Sequence, residues 1–173
     1  MKIRTIVTFL FIIMILVACA PATTVPPRTD NFAFIFQGSS CGPNPVNVLD
    51  TAERTLVYTP LGDTTSVTIS LRLTDDELES IYQKAISIGF FNYPSEFVVP
   101  DDQVLGYQAP ASSYKLSMTN GEMTNSVSWT DDTMTKPGYI KADQLRELMN
   151  LIDEIIQSHP EVQHLPGPKA GCA

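Results

Sequence analysis

Gly38-Ser39-Ser40-Cys41-Gly42 fits the G-x-S-x-G pattern in which a sharp turn lifts a serine nucleophile, and it sets a cysteine beside that serine. Acyl transfer through Ser40, or thiol chemistry through Cys41, needs a histidine base. A nucleophile elbow also needs a helix directly after the serine, whose amides hold the oxyanion. Pro43 and Pro45 exclude a helix interior there. The only histidines, His159 and His164, follow the last helical pattern and share no helix face. Of the acidic pairs, Asp75-Asp76 belongs to a helix start, where negative charge suits the dipole. Asp101-Asp102 and Asp131-Asp132 lack the D-x-[DN]-x-[DN]-G calcium pattern. We therefore expect no catalytic centre, no resident metal and no cofactor. A hydrolase or thiol enzyme centred on Ser40 or Cys41 is the runner-up.

The N-terminus carries an address. Lys2 and Arg4 precede an apolar run from Ile6 to Ala18, too short for a membrane-spanning helix and suited to a signal peptide. Its end, Leu16-Val17-Ala18-Cys19, resembles the lipobox of bacterial lipoproteins. The resemblance implies a signal peptide over 1–18, a diacylglycerol thioether on Cys19, and an exported protein anchored to the cell membrane or outer membrane. Two or more acyl chains hold a protein stably where one does not. Residues 19–31, rich in Pro and Thr, read as a semi-extended tether, and one domain is expected over 32–173.

Charge limits the partners. The chain has 11 Lys and Arg against 19 Asp and Glu, and removal of Lys2 and Arg4 with the signal makes it still more acidic. Without a basic cluster, nucleic acid is excluded as a partner. An acidic surface is compatible with a basic protein partner or with plain solubility. In an exported chain the two cysteines beyond Cys19 either form a Cys41–Cys172 disulfide or remain two free thiols.

The elements follow from periodicity. Phe32–Phe36 alternates and predicts a strand; Thr55–Tyr58 predicts a second, extended backwards to Val46; Val67, Ile69, Leu71 and Leu73 alternate as a third. Thr74-Asp75-Asp76-Glu77 is a capping box opening a helix over 75–88, with Leu78, Ile81, Tyr82, Ala85 and Ile86 on one face. Residues 90–113, with Pro94, Pro100 and Pro110, show no period and predict a long loop. A hairpin follows, Tyr114-Leu116-Met118 and Met123-Val127-Trp129 around an Asn120-Gly121 type I′ turn. The last helix runs from Asp143 to Ser158.

This order predicts an α+β domain in two layers, an antiparallel sheet of about five strands with two amphipathic helices on one face. The outer face then presents Thr68, Ser70, Arg72, Lys115, Ser117, Thr124, Ser126 and Ser128, a small-polar candidate binding face for a protein or extended peptide. Cys41-Gly42 with Pro45, Val46 and Val48 before Val57-Tyr58 loosely resembles an uncharacterised Cys-Gly-x-x-Pro domain of small bacterial lipoproteins. That resemblance implies a fold and an address, and no reaction. The expected function is a lipid-anchored, non-catalytic binding or structural module at the cell envelope. An inhibitor-like module that uses the 90–113 segment against an exported enzyme is a further alternative.

Overall fold

The structure, a computed structural model, describes residues 26–39 and 47–172. The signal region, Cys19, Ser40 and Cys41 lie outside the described residues. The strands are β1 (Ala33–Ser39), β2 (Asn47–Asp50), β3 (Thr55–Tyr58), β4 (Val67–Ser70), β5 (Glu96–Phe97), β6 (Val104–Asn120) and β7 (Met123–Thr135). The helices are α1 (Asp75–Ser87), α2 (Ile140–Ser158) and the single turn α3 (Pro160–Gln163). Among the described residues no helix is long and apolar enough to cross a membrane.

The fold is α+β, and its sheet is larger than predicted and mixed. Seven strands run in the order β4-β3-β2-β1-β6-β7-β5, antiparallel except where β5 lies parallel to β7. The alternation written into each strand meets across the ladder. Ile69, Leu56, Leu49, Phe36, Leu116 and Val127 are successive Cα partners over six strands, so one register line carries a continuous apolar row. Five of these residues are buried, Ile69 packs partly buried against them, and the row joins Ile81, Tyr82, Leu145, Leu148 and Ile152 of the helices in one core. A one-residue slip of any strand would turn its share of this row to solvent, which fixes the register.

Three readings of the sequence need correction. The strand expected to run back from Thr55 to Val46 is two strands, because Asp50 turns the chain: its Oδ1 accepts from the amides of Ala52 and Glu53 at 3.0 Å each. The predicted 90–113 loop is mostly structured, with 3-10 turns at Phe90–Asn92 and Asp101–Gln103, then β5 and the first half of β6. Pro110 hid that half. Among the described residues β6 pairs with β1 only from Ser113 onward, and Pro110 falls within a register irregularity against β7 that spans Tyr107 to Ser112, where a strand tolerates proline. The hairpin turn is Gly121-Glu122, with only Gly121 at positive φ (62°) and Asn120 paired to Met123.

Asn120 serves a different purpose. It is buried, its Oδ1 accepts from the Thr29 amide (2.7 Å) and hydroxyl (2.8 Å), and its Nδ2 donates to Pro27 O and Tyr82 Oη, both at 3.2 Å. Tyr82 Oη donates onward to Pro26 O at 2.6 Å, and Arg28 Nε reaches Glu79 at 2.9 Å. Residues 26–31, which composition assigned to the tether, are thus seated on the folded unit.

The helices are set by polar contacts at their ends. Thr74 caps α1 with both bonds of the capping box, as predicted. Burial pushes the Glu77 carboxyl up, but the Thr74 amide and hydroxyl and the nearby His159 outweigh it, leaving the group below its usual range. His159, which follows the last helical pattern of the sequence, closes α2 with Nε2 3.1 Å from Glu77 Oε1. The opposite half of α2 is held by Arg146. Its Nε and Nη2 fork the buried Asp131 carboxylate at 2.8 and 2.7 Å, Nη2 also reaches Thr133 O at 2.7 Å, and the guanidinium lies 5.5 Å from the Trp129 ring centroid. The Asp131 and Asp143 carboxylates, led by the bond to Asp131, hold Arg146 charged against the cost of burial.

Arg146→Leu would leave the Asp131 carboxylate buried without its partner. Because the guanidinium is 26% exposed, we expect the lower part of the range for a broken buried pair, about 2–3 kcal/mol lost in chemical denaturation. The double variant Arg146→Leu/Asp131→Leu should recover most of that loss.

Candidate functional site

One end of the sheet meets the last turns of the long helix α2. Beyond Phe36, β1 continues through Gly38 and Ser39, β2 begins only at Asn47 and β3 stops at Tyr58. The last turns of α2 overhang this end of the sheet, and the C-terminal tail comes back beside it. Between them lies a cleft of about 500 Å³. Phe36, Leu49 and Leu56 give it an apolar floor, Met149, Ile156 and Val162 an apolar wall, and Asn150, Asp153 and Gln157 a polar rim. The rim residues fall at i, i+3 and i+7 of α2, one helix face beside its buried stripe. Tyr114 stacks on Phe36 with ring centroids 6.1 Å apart and 20° between planes.

The tail wall is fixed through the β3–β4 loop. The amides of Lys169 and Ala170 donate to Leu61 O at 2.8 and 3.2 Å, and Lys169 Nζ lies 2.6 Å from Asp63 Oδ2. The Lys169 bond, with the Thr64 and Thr65 amides, holds the Asp63 carboxyl below its usual range. Gly62 sits at φ 81°, and a Cβ there would stand 2.7 Å from the Ala170 Cβ, so glycine is required both by the backbone and by the tail's approach. Ala170, Gly171 and Cys172 then line the cleft.

Electrostatically the cleft has one sign. Asp153 is the only residue with a formal charge among those described as lining it. Water reaches the carboxyl, yet the surrounding walls reduce its solvation and push its pKa up, opposed by a bond from Gln157 and reinforced by the charge of Glu154. Burial likewise raises the Tyr114 phenol, against a bond with Ser112, and the Asp131 and Asp153 charges add to the rise. Ser39 also lines the cleft, and its buried Oγ has no hydrogen-bond partner.

A second cleft, about 580 Å³, lies at the β7 edge, where β5 pairing ends at Phe97–Trp129. Glu96, Asp101 and Asp132 surround it, and the buried Thr133 Oγ1 there also lacks a partner.

The predicted outer-face residues occupy their expected side of the sheet but form two separate groups. Lys115 pairs with Ser128, Ser117 with Ser126 (Oγ–Oγ 2.8 Å), and Thr119 with Thr124, so five of the predicted residues share the β6–β7 ribbon. Thr68 and Ser70 lie on the edge strand β4 and Arg72 just past it, four strand spacings or about 19 Å from β6. The positions between are Val57, Val48 and Gln37 in one register line and Thr55, Asp50 and Ile35 in the other. Among the described residues no group of three or more His, Cys, Asp and Glu is placed to hold a metal ion. Sequence reasoning missed the cleft because its rim residues look like the ordinary wet face of an amphipathic helix. The available signal was a tail with a cysteine and no apolar period, which must rest on something.

The raised pKa of Asp153 has a stability sign. Its folded value lies above that of an ordinary aspartate, so the ionised carboxyl penalises the folded state at neutral pH, and the penalty disappears once pH falls below both values. Asp153→Asn should therefore stabilise the protein slightly at pH 7, by at most about 0.5 kcal/mol because solvent screens the group, and should leave stability unchanged at pH 3. Denaturation midpoints at the two pH values check this. Compared with known proteins, the chain matches no family model and no curated protein.

Proposed function

We propose that this protein is a lipid-anchored extracytoplasmic binding module, and that the cleft between α2 and the open end of the sheet is its binding site. The cleft carries the reading. Its size falls in the range of small-molecule sites, its floor and walls are apolar, and a few polar groups converge on one rim. A non-catalytic role is favoured because no described histidine lines this cleft, and His159 is committed to Glu77.

The address rests on the Leu16-Val17-Ala18-Cys19 stretch, and the seating of residues 26–31 gives it a geometry. Only six residues separate Cys19 from Pro26, at most about 25 Å of chain. A lipid on Cys19 would therefore hold the Gly121 turn toward the membrane. Seven residues of β1, about 23 Å, carry the chain from there toward the cleft.

A Cys41–Cys172 disulfide belongs to the same proposal. In its support, Cys172 lines the cleft together with Ser39, two residues before Cys41. The bond would close a loop of roughly 130 residues, worth up to about 4–5 kcal/mol by chain entropy alone.

The chain from Ala20 onward, exported behind an ordinary cleavable secretory signal in place of residues 1–19, should move from the membrane fraction to the soluble envelope fraction; unchanged membrane retention would count against the anchor. That soluble protein should bind the neutral apolar dye Nile red at one site. Asn150→Trp, which fills the cleft from its rim, should weaken binding at least tenfold. Reductant should weaken it several-fold by releasing the tail wall. A dye site insensitive to both would place binding elsewhere.

A further inference from the structure

The cleft's lining also specifies a ligand class, given the binding reading above. We infer that it takes an organic cation, a protonated amine on an apolar body, with the ammonium at Asp153 and the body against Phe36, Leu49 and Leu56.

Charge decides the class. Asp153 is the one formally charged lining residue among those described, and no described Lys, Arg or His lines the cleft. Residues 40–46, which join β1 to β2, contain no charged side chain in the sequence. The other groups around Asp153 do not supply a counter-charge. Glu154 on its own helix is acidic, Tyr114 from β6 and Tyr58 from β3 are phenols, and the tail's Lys169 is paired with Asp63. Arg146, further along α2, is engaged by Asp131 and Asp143.

An anionic ligand would thus meet a carboxylate with no cation beside it among the described residues, in a chain of net charge −8. A purely apolar ligand would remove water from that carboxylate and give nothing back. A metal ion is a poor fit, because one carboxylate and two amides fall short of the six to eight oxygens calcium takes. A protonated amine answers each point. It pairs with Asp153, can donate further bonds to the side-chain carbonyls of Asn150 and Gln157, and leaves its body for the apolar floor. The stacked Phe36–Tyr114 pair adds aromatic surface of the kind that attracts ammonium groups. The upward shift of the Asp153 carboxyl agrees, since it marks a group whose ionised form is poorly solvated and only partly compensated by the bond from Gln157.

The test is calorimetric titration of the soluble chain that begins at Ala20 with octylamine, octanol and octanoate, three eight-carbon probes of different charge. Octylamine should bind at least tenfold more tightly than octanol, and octanoate most weakly. Asp153→Asn should bring octylamine to the level of octanol while leaving octanol unchanged, and Asp153→Glu should keep the preference for the amine. Lowering the pH through the Asp153 titration should weaken octylamine alone, because the amine stays protonated and the carboxylate is lost. If octanol or octanoate equals octylamine, or if Asp153→Asn keeps the preference, the cation inference falls while the cleft remains a binding site. If none of the three binds, the binding reading falls with it.

Discussion

The bidentate contact between Arg146 and Asp131 is the constraint that organises the rest of the molecule. A 19-residue helix is about 28 Å long, and the sheet beneath it offers an almost uniform apolar row. Dispersion and the hydrophobic effect reward covering that row but say little about how the helix is rotated or slid along it. A planar guanidinium that must meet two carboxylate oxygens and one carbonyl at once does say so. Fixed at this point, α2 projects its final turns past the short strands β2 and β3. The cleft is the space that an amphipathic helix leaves when its anchor lies at one end and its supporting sheet is short at the other.

The ends of the chain are treated the same way. Neither the segment 26–31 nor the tail 168–172 contributes much to the core, yet each is seated by specific polar partners: Asn120 and the Tyr82 hydroxyl, which donates to Pro26 O, for the first, and Leu61 O and Asp63 for the second. Such contacts hold a position more than they add stability, since a typical hydrogen bond contributes only about 1 kcal/mol net. They set where the anchor side of the domain ends and where the cleft's last wall stands.

Much of this fold was legible in the sequence, and the exceptions share a cause. The α1 capping box, the α1 and α2 stripes and the Tyr114-to-Trp129 hairpin announce themselves through local period and turn chemistry, and they stand where the period put them. What escaped was set by non-local partners. Asn120 reads as a turn residue by propensity, but its amide is claimed by Thr29, Pro27 and Tyr82. The first half of β6 has no alternation and carries Pro110, and its place in the sheet is set by pairing with the distant residues of β7 across a register irregularity. Asp153 reads as a wet helix position, and only the returning tail turns that position into the rim of a cleft. The predicted outer-face group was right about side and uninformative about distance, because alternation fixes which face a residue occupies and strand order fixes what lies beside it.

The close fit of Gly62 against Ala170 ties two distant parts of the chain into one heritable unit. Any side chain at position 62 would expel the tail from its seat, and the cleft would lose a wall even if every rim residue survived. A lineage that discards the tail is released from glycine at position 62, whereas one that retains Cys172 is bound to it. Variation at these two places should therefore be inherited together, and a glycine in a surface loop becomes a marker for whether a related chain still builds the cleft.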